Sequence, residues 1–387
     1  MPSEYLDEIA PRLPLFADDT AFSADAILDH DSAVVQNPLD IAPVTGARSQ
    51  RVGVGDINCY TRAGVTVFRG DSMQFYDQWE TPVVIISDGP YGVGGFRGDP
   101  PNSHDLAAWY APHVATWSKR ATPQTTLWFW NTELGWATVH PVLLRHGWTY
   151  RCCHIWNKGV GHIAGNANSK SLRKFPVVTE VCAQYVREPE FGAGGVPMSM
   201  REWLRYEWER TGIPFSVTNS VCGVRNAATR KYFTKDHLWY YPPVEHFERL
   251  VLYANEHGNP SGCPYFSSNG IRPMSGAEWA RMRAKFHCEV GVTNVWTAPA
   301  VRGSERLKSK SKCIHSNQKP LQLIELSIRA SSDSGDLVWE PFGGLCSAAV
   351  ASLNLGRNCA SAEISDEFFE IAVERLKNHV VKSSHKG

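Results

Sequence analysis

Two short runs in the chain combine an acid, a turn and an aromatic residue, which are groups that can hold a ligand. The first, Asp88-Gly89-Pro90-Tyr91, follows the apolar run Val83–Ile86, and the second, Glu340-Pro341-Phe342-Gly343-Gly344, follows Leu337–Trp339. Such apolar runs predict buried strands of a parallel sheet, and ligands bind at the carboxyl ends of these strands. The first run alone is an ordinary turn. Together, the two runs predict two halves of one site.

The second run also opens a unit that is typical of nucleoside binding. Gly343 and Gly344 predict a tight turn, a helix is expected over Ser347–Leu353, and the next strand ends at Glu363. A glycine turn lets a ligand approach the backbone, and an acid about twenty residues later can accept ribose hydroxyls. The dinucleotide pattern G-x-G-x-x-G is absent from the sequence. A nicotinamide enzyme is therefore disfavoured, and a ligand without a pyrophosphate, such as S-adenosylmethionine, is favoured.

Alternating strands and helices are expected to position both runs. Further strands are predicted at Gly64–Asp71, Thr125–Trp130, Tyr150–Trp156, Val177–Val186 and Arg357–Glu363. Helices are predicted at Asp105–Lys119, up to about His146, and at Ser199–Arg210, Pro242–His257, Pro320–Ile328 and Ser365–Lys377. This alternation predicts an α/β fold with a doubly wound, mostly parallel sheet.

Composition narrows the class of protein. The chain has 387 residues, 43% of them hydrophobic, and a formal net charge of zero, so bulk charge gives no argument for nucleic acid binding. Its ten cysteines contain no Cys-x-x-Cys pair, which predicts reduced thiols and no metal site. The sequence shows no signal peptide and no apolar run of the ~20 residues that a membrane span needs. We therefore expect a cytoplasmic protein that does not bind membranes.

The alternation breaks between residues 166 and 300, which predicts an inserted, mainly helical module. Two short helices around Gly223, within about residues 213–234, have the outline of a helix-turn-helix. Its DNA-contacting residues would be Arg225, Asn226, Arg230 and Lys231. The equal alternative is a solvated helical hairpin without a partner.

A second basic segment follows this region. Its DNA-contacting candidates are Arg302, Arg306, Lys308 and Lys310. Such a run can follow a phosphate backbone, and its alternative interpretation is a solvated loop.

Taken in order, these motifs resemble those of the amino-methyltransferases of DNA, in the permuted order called the β class. The resemblance runs from about residue 64 to the end without the middle module, and its motifs include Asp88–Tyr91, Ile155–Lys158, His315–Pro320 and Glu340–Gly344. It implies a circularly permuted S-adenosylmethionine-dependent methyltransferase fold. The implied parts are an N-terminal arm (1–60), a catalytic half (61–165), a target-recognition region (166–300) and a cofactor-binding half (301–387).

The chain departs from the family pattern at a few positions. Gly89 stands where the family has the first proline of its catalytic turn, and Glu340 stands where the family usually has aspartate. Cys346 and Ser347 occupy the positions of the second glycine and the threonine in the cofactor motif.

The resemblance implies a role for each member of the catalytic turn. Asp88 and the backbone carbonyl of Gly89 would accept the two hydrogens of the target amine. Pro90 would shape the turn, and Tyr91 would stack on a base flipped out of the duplex. Methyl transfer would then depend on in-line positioning, without a covalent intermediate.

The resemblance also assigns the residues that hold S-adenosylmethionine. Phe342 and Gly344 would line its methionine portion, and Glu363 would hold the ribose. Asp71 would contact the adenine amino group, and Lys319 the carboxylate side. The remaining cofactor-binding residues would be Pro320 and Glu340.

The implied substrate is an exocyclic amino group in double-stranded DNA. Aspartate at position 88 favours adenine N6, because serine is more frequent in the cytosine group, and cytosine N4 is the alternative. A cytosine C5 enzyme is excluded because the chain lacks the Pro-Cys pair of that class. A second alternative is a DNA-binding protein whose catalytic motifs have degenerated, as Gly89 and Cys346 suggest. A partner restriction endonuclease and a homodimer are further expectations.

Overall fold

The structure is a computed structural model that describes residues 58–94, 98–163, 172–193, 196–302, 306–309, 312–313 and 318–380. The strands are β1 Cys59–Arg62, β2 Val65–Arg69, β3 Val84–Ser87, β4 Thr126–Asn131, β5 Trp148–Asn157, β6 Thr179–Arg187, β7 Phe191–Ala193, β8 Val196–Met198, β9 Val295–Thr297, β10 Lys308–Ser309, β11 Lys312–Cys313, β12 Leu337–Glu340 and β13 Asn358–Glu363. The helices are α1 Leu106–Arg120, α2 Glu133–Arg145, α3 Met200–Arg210, α4 Val217–Cys222, α5 Val244–His257, α6 Gly276–Ala280, α7 Leu321–Ser331, α8 Ser347–Leu355 and α9 Asp366–Asn378. Within these ranges, no helix combines the length and the apolar character that crossing a membrane requires.

Most of the strands form one mixed, mainly parallel sheet in the order β1-β2-β13-β12-β3-β4-β6-β5-β9. Strands β2, β13, β12, β3 and β4 run parallel, whereas β6 runs antiparallel to both β4 and β5. We call the edge at which the parallel strands end the carboxyl edge and the edge at which they begin the amino edge. Because β6 is reversed, it starts at the carboxyl edge and ends at the amino edge.

Helices cover both faces of this sheet, as predicted for a doubly wound fold. In β3, Val84 and Ile86 pack on the face covered by α7, α8 and α9, while Ile85 packs on the face covered by α1 and α2. Full burial of each such side chain contributes about 1.5–3 kcal/mol. Successive residues of β3 point to opposite faces of the sheet and are apolar on both. This is expected of a strand in the middle of a sheet that helices cover on both faces.

Two helices begin at the carboxyl edge and bring the residues before them to it. Pro320 is the N-cap residue of α7, which suits a residue that cannot donate a backbone hydrogen bond. The hydroxyl of Ser365 accepts a hydrogen bond from the Phe368 amide at the start of α9. Lys319 and Glu363, which precede these caps, consequently lie at the same edge as the ends of β3 and β12.

The predicted domain boundaries need two corrections. The first is that β1 begins at Cys59, inside the predicted arm of residues 1–60; residues 1–57 lie outside the described part of the chain. The second is that β6 and β9 belong to the main sheet, so the inserted region is residues 188–294 rather than 166–300. This insertion has a core of its own, in which the rings of Phe247 and Trp279 stack with centroids 4.2 Å apart.

The predicted helix pair within the insertion is only partly formed. Its first helix is α4, which ends at Gly223 in a left-handed conformation. In place of a second α-helix the structure has a π-helical turn, Ala228–Tyr232, which is five residues long. Asn219 of α4 donates a hydrogen bond to the hydroxyl of Thr229 at 2.8 Å, which ties this short turn back onto α4. A helix-turn-helix in the predicted form is therefore not present.

Both attachments of the insertion lie at the amino edge of the sheet. At its entry, Arg187 ends β6 opposite Trp148, the first residue of β5. At its exit, Lys285 Nζ lies 2.8 Å from Asp333 Oδ2 and 2.6 Å from Asp336 Oδ2, and these aspartates immediately precede β12. The insertion thus joins the sheet at the edge opposite Asp88.

Candidate active site

A cavity of about 500 Å³ opens at the carboxyl edge of the sheet. Its walls come from the segments that follow β2, β3, β12 and β13 and from α1. Lining residues include Asp71, Asp88, Tyr91, Trp109, Phe342 and Glu363. Its volume falls within the range of small-molecule sites. The two turns that the sequence predicts as halves of one site therefore meet around one cavity.

Two carboxylates offer acceptors for a polar ligand. Glu363 accepts hydrogen bonds from the backbone amides of Gly344 at 2.5 Å and Ser365 at 2.7 Å. Burial raises the pKa of Glu363, and these amides act in the opposite direction. Asp71 accepts a hydrogen bond from the Met73 amide at 2.9 Å. Since a carboxylate has about four lone-pair sites, both residues retain capacity for ligand hydroxyl or amino groups.

An aromatic wall faces the same cavity. The rings of Trp109 and His113 stack with centroids 4.7 Å apart, and the Phe342 ring lies 5.0 Å from His113. Burial lowers the pKa of His113 to about 4, so its ring is neutral at pH 7. The wall is therefore an uncharged, flat surface against which a ligand with apolar parts can pack.

Glycine at position 89 is required by its neighbours. A Cβ atom there would lie 2.6 Å from the Tyr110 hydroxyl and closer still to Cδ2 of Phe342. Proline, the family residue at this position, would meet the same atoms. The absence of a side chain at residue 89 lets Phe342 of the other turn approach the backbone.

Hydrogen bonds hold the shape of this turn. The Pro90 carbonyl accepts one from Asn131 Nδ2 at 2.9 Å and one from the Tyr110 hydroxyl at 3.2 Å. Asn131 is the last residue of β4 and is buried. The turn is therefore held by the neighbouring strand and by α1.

Asp88 belongs to a buried charge network. Lys319 Nζ lies 2.8 Å from Asp88 Oδ1 and 3.4 Å from Glu180 Oε2, and the Lys319 side chain is only 1% exposed. The Tyr91 hydroxyl lies 3.1 Å from a carboxylate oxygen of each of these acids. Lys158 Nζ lies 2.5 Å from Glu180 Oε1. Two lysines and two carboxylates thus balance in charge beside the cavity.

The pKa shifts in this network follow from its charges. Burial alone would lower the pKa of Lys319, but Asp88 and Glu180 outweigh it and raise that pKa. Burial alone would raise the pKa of Glu180, but Lys319 and Lys158 outweigh it and lower that pKa. Burial and the two nearby acids raise the pKa of Tyr91. The lysine is therefore held cationic, the glutamate anionic and the tyrosine neutral at pH 7.

Three of the predicted cofactor-binding residues have contacts outside the cavity of about 500 Å³. Lys319 belongs to the network around Asp88. Glu340 accepts hydrogen bonds from the amides of Ala348 at 2.6 Å and Ala349 at 3.1 Å, at the start of α8, and burial raises its pKa to about 7. Pro320 starts α7. Glu340 and Lys319 line a small cavity of about 40 Å³ together with Asp88 and Phe342.

Sequence reasoning missed several residues of the site. Glu180, Lys158, Trp109 and His113 were not among the predicted site residues. Glu180 did carry a signal, since it is an acid at the start of an otherwise apolar strand, and buried charges are rare unless they are paired. Trp109 and His113 on α1 gave no such indication in the sequence, because aromatic residues on a helix usually belong to a core.

The predicted DNA-contacting residues fall into two places. Arg302 is exposed and donates to the Gly161 carbonyl at 2.9 Å, just beyond the end of β5 at the carboxyl edge. Arg306 donates to the Val301 carbonyl at 3.1 Å. Lys308 begins the short strand β10, and Lys310 lies outside the described residues. The other four, all exposed and all on the insertion, are Arg225, Asn226, Arg230 and Lys231.

Comparison with known proteins finds similarity to DNA methylases over most of the chain. The family model N6_N4_Mtase, described as DNA methylase, matches residues 83–374. The type II methyltransferase M2.MboI of Moraxella bovis is 34% identical over 146 residues, which are 38% of this chain and 42% of that protein. M.HinfI of Haemophilus influenzae is 34% identical over 85 residues, which are 22% of this chain and 24% of that protein. The chain thus matches less than half the length of these curated relatives.

Solved structures with a similar arrangement include the M1.HpyAVI–SAM complex. It is 16% identical, covers 80% of this chain and 98% of its own, and gives a TM-score of 0.44. The PvuII cytosine-N4-specific DNA methyltransferase is 10% identical, covers 82% of this chain and 88% of its own, and gives a TM-score of 0.39.

Proposed function

Since this chain belongs to the N6/N4 DNA methylase family, we propose that it transfers a methyl group from S-adenosylmethionine to an exocyclic amino nitrogen in double-stranded DNA. The observation that carries the proposal is the single cavity shared by the Asp88 turn and the Gly344 turn. One turn supplies acceptors for an amine, and the other supplies the surroundings of a nucleoside. We propose adenine N6 as the target, with cytosine N4 as the alternative.

The target nitrogen needs help because its lone pair is delocalised into the ring of the base. In the proposed mechanism, Asp88 accepts a hydrogen bond from one amino hydrogen, and the Gly89 carbonyl accepts one from the other. These bonds favour a tetrahedral nitrogen whose lone pair points out of the ring plane. Catalysis is then mainly a matter of position and orientation.

Lys319 and Glu180 keep Asp88 in place for this task. The ion pair of Lys319 with Asp88 at 2.8 Å fixes the position of the Asp88 side chain, whose oxygens can accept hydrogen bonds. The Tyr91 hydroxyl is anchored between both acids, which fixes its ring beside the cavity. We propose that this ring stacks on the flipped base, because a base inside a duplex cannot reach a closed site.

The remaining cavity residues suit S-adenosylmethionine, which supplies an electrophilic methyl group when bound. Glu363 would accept hydrogen bonds from the ribose hydroxyls, and Asp71 would accept one from the adenine amino group. Phe342 and Gly344 would line the methionine portion. The wall of Trp109 and His113 would exclude water from the reacting atoms.

The choice of adenine rests on the residue at position 88. Aspartate there leans toward the adenine group of the family, in which serine is less frequent. The relatives are named as type II methyltransferases, so a partner restriction endonuclease stays part of the proposal. A homodimer and a cytoplasmic location remain predictions.

Long-read sequencing of host DNA after expression tests the proposal directly. In a host without DNA amino-methylation, we expect N6-methyladenine in one sequence context. Detection of N4-methylcytosine instead would show that the target is the alternative, cytosine N4. Folded protein that binds S-adenosylmethionine by calorimetry but leaves the DNA unmodified would favour the binding-only alternative.

A further inference from the structure

The connection between β5 and β6 emerges beside the catalytic turn. The Lys158 amide donates a hydrogen bond to the Val178 carbonyl at 2.9 Å, so the two ends of this connection lie together. Glu180 follows at once and reaches both Tyr91 and Lys319. Residues 158–163 and 172–178 therefore start and end beside the Asp88–Tyr91 turn, whose residues line the cavity.

These two segments expose apolar side chains at an edge where charge would be expected. Phe175 is 94% exposed, and Val160 in the other segment is 82% exposed. Arg173 and Lys174, immediately before Phe175, are exposed as well. An exposed phenylalanine gains nothing from the core, and grouped apolar exposure marks an interaction site. Two adjacent cations indicate that the partner is an anion with apolar faces.

Duplex DNA has both properties, and chain length limits how far Phe175 can lie from the site. Phe175 precedes Glu180 by five positions, and five extended residues span at most about 17 Å. Stacked bases follow one another every ~3.4 Å along a strand. The ring is thus within a few base steps of the place where a target base would leave the stack.

We propose that Phe175 inserts into the duplex where the target base has left, while Arg173 and Lys174 contact the adjacent phosphates. This inference rests on the proposed function. Apolar side chains open base steps in this way in other DNA-binding proteins. Flipping leaves a gap between the neighbouring bases, and an aromatic ring has a flat face that stacks on any base. The inserted ring stabilises the flipped state and favours capture of the target at Asp88.

The test compares two substrates in the full-length protein. One is a duplex with a normal target pair, and the other carries the target opposite an abasic site, where flipping already costs little. For Phe175→Ala we expect kcat/KM to fall about tenfold on the paired duplex and about twofold or less on the abasic duplex. Phe175→Trp should retain most of the activity on both. Because the side chain is exposed, Tm should not change.

A matched control and a direct readout complete the design. Phe286 is also exposed, at 56%, but follows Lys285 at the amino edge, and Phe286→Ala should leave both substrates unaffected. With 2-aminopurine in place of the target, wild-type protein should raise its fluorescence as the base unstacks. Phe175→Ala should raise it much less.

Several outcomes would overturn the proposal. One is unchanged activity of Phe175→Ala on the paired duplex. Another is an equal loss on both duplexes, above all with an altered oligomeric state, which would assign this surface to a second copy of the chain. If the wild-type protein methylates neither duplex, the proposed function has failed, and the role of Phe175 fails with it.

Discussion

At the carboxyl edge of the sheet, Lys319 pairs with two carboxylates and is 1% exposed, whereas at the amino edge Lys285 pairs with two carboxylates and is 24% exposed. The two lysines form the same kind of bridge in different surroundings. Breaking a buried pair costs about 3–5 kcal/mol, while a pair open to solvent is worth about 0–1 kcal/mol; the Lys285 bridge lies nearer the second case, because Asp333 is 58% exposed and both Lys285 and Asp336 are partly exposed. The carboxyl-edge bridge is therefore expected to contribute more to stability, and in the proposed mechanism it also positions Asp88, whereas the amino-edge bridge attaches the insertion.

The largest expected effect concerns the carboxyl edge alone. Asp88→Ala should lower the rate of methyl transfer by about a thousandfold, because alanine offers no acceptor for the amino hydrogen. Single-turnover methylation of duplex DNA measures this rate. Binding of S-adenosylmethionine, followed by calorimetry, should be nearly unchanged. A rate close to that of the wild type would remove Asp88 from the mechanism.

The next effect compares the two bridges by stability. Glu180→Gln should lower the free energy of unfolding by about 3 kcal/mol, because Lys158 loses its carboxylate partner and buried Lys319 keeps only Asp88. Asp336→Asn, its counterpart at the amino edge, should cost less than about 1 kcal/mol. Urea unfolding of both variants measures the difference. Equal costs would mean that burial does not separate the two edges.

This stability difference should also depend on pH. The lysines lower the pKa of Glu180 in the folded protein below its ordinary value of 4.5. The wild-type advantage over Glu180→Gln should therefore be complete above pH 4.5 and decline as pH falls through the folded-state pKa. Unfolding curves between pH 3 and pH 7 test this, and an advantage that persists at the acid end would contradict it.

A smaller effect is expected from filling the space beside the catalytic turn. Gly89→Ala should cost about 1–3 kcal/mol, because its Cβ would overlap Phe342 and the Tyr110 hydroxyl. Gly262→Ala is the matched control in the insertion, where a Cβ would meet no atom within 4 Å. Thermal unfolding compares them. Equal Tm values for both variants would show that the two turns can move apart.

The smallest expected effect concerns DNA binding by arginines at the two edges of the sheet. Replacing Arg302 and Arg306 by glutamine should weaken DNA binding and reduce the slope of log affinity against log salt by about two. The same replacement of Arg225 and Arg230, on the insertion, should leave the slope nearly unchanged. Fluorescence anisotropy at several salt concentrations measures both. A larger effect of the second pair would place DNA on the insertion.

The sequence was sufficient to predict the meeting of the two turns, because each follows an apolar strand and parallel strands end at one edge. The sequence did not indicate at which edge of the sheet the insertion is attached. That depends on the reversal of β6, and an apolar run has no direction. The contacts of Lys319 with Asp88 and Glu180 were equally hidden, since these residues lie far away in the sequence. From the sequence, Gly89 is only a departure from the family's proline, and the reason for it, the close approach of Phe342, depends on the fold.

The reversal of β6 has a consequence for how such a chain can grow. Because β6 runs from the carboxyl edge to the amino edge, residues inserted after it do not lengthen any loop at the carboxyl edge. The insertion, residues 188–294, begins and ends at the amino edge and has its own core. None of its described residues lines the cavity at the carboxyl edge. Related chains of different lengths can therefore keep the same cavity and differ in the residues inserted at the amino edge of the sheet.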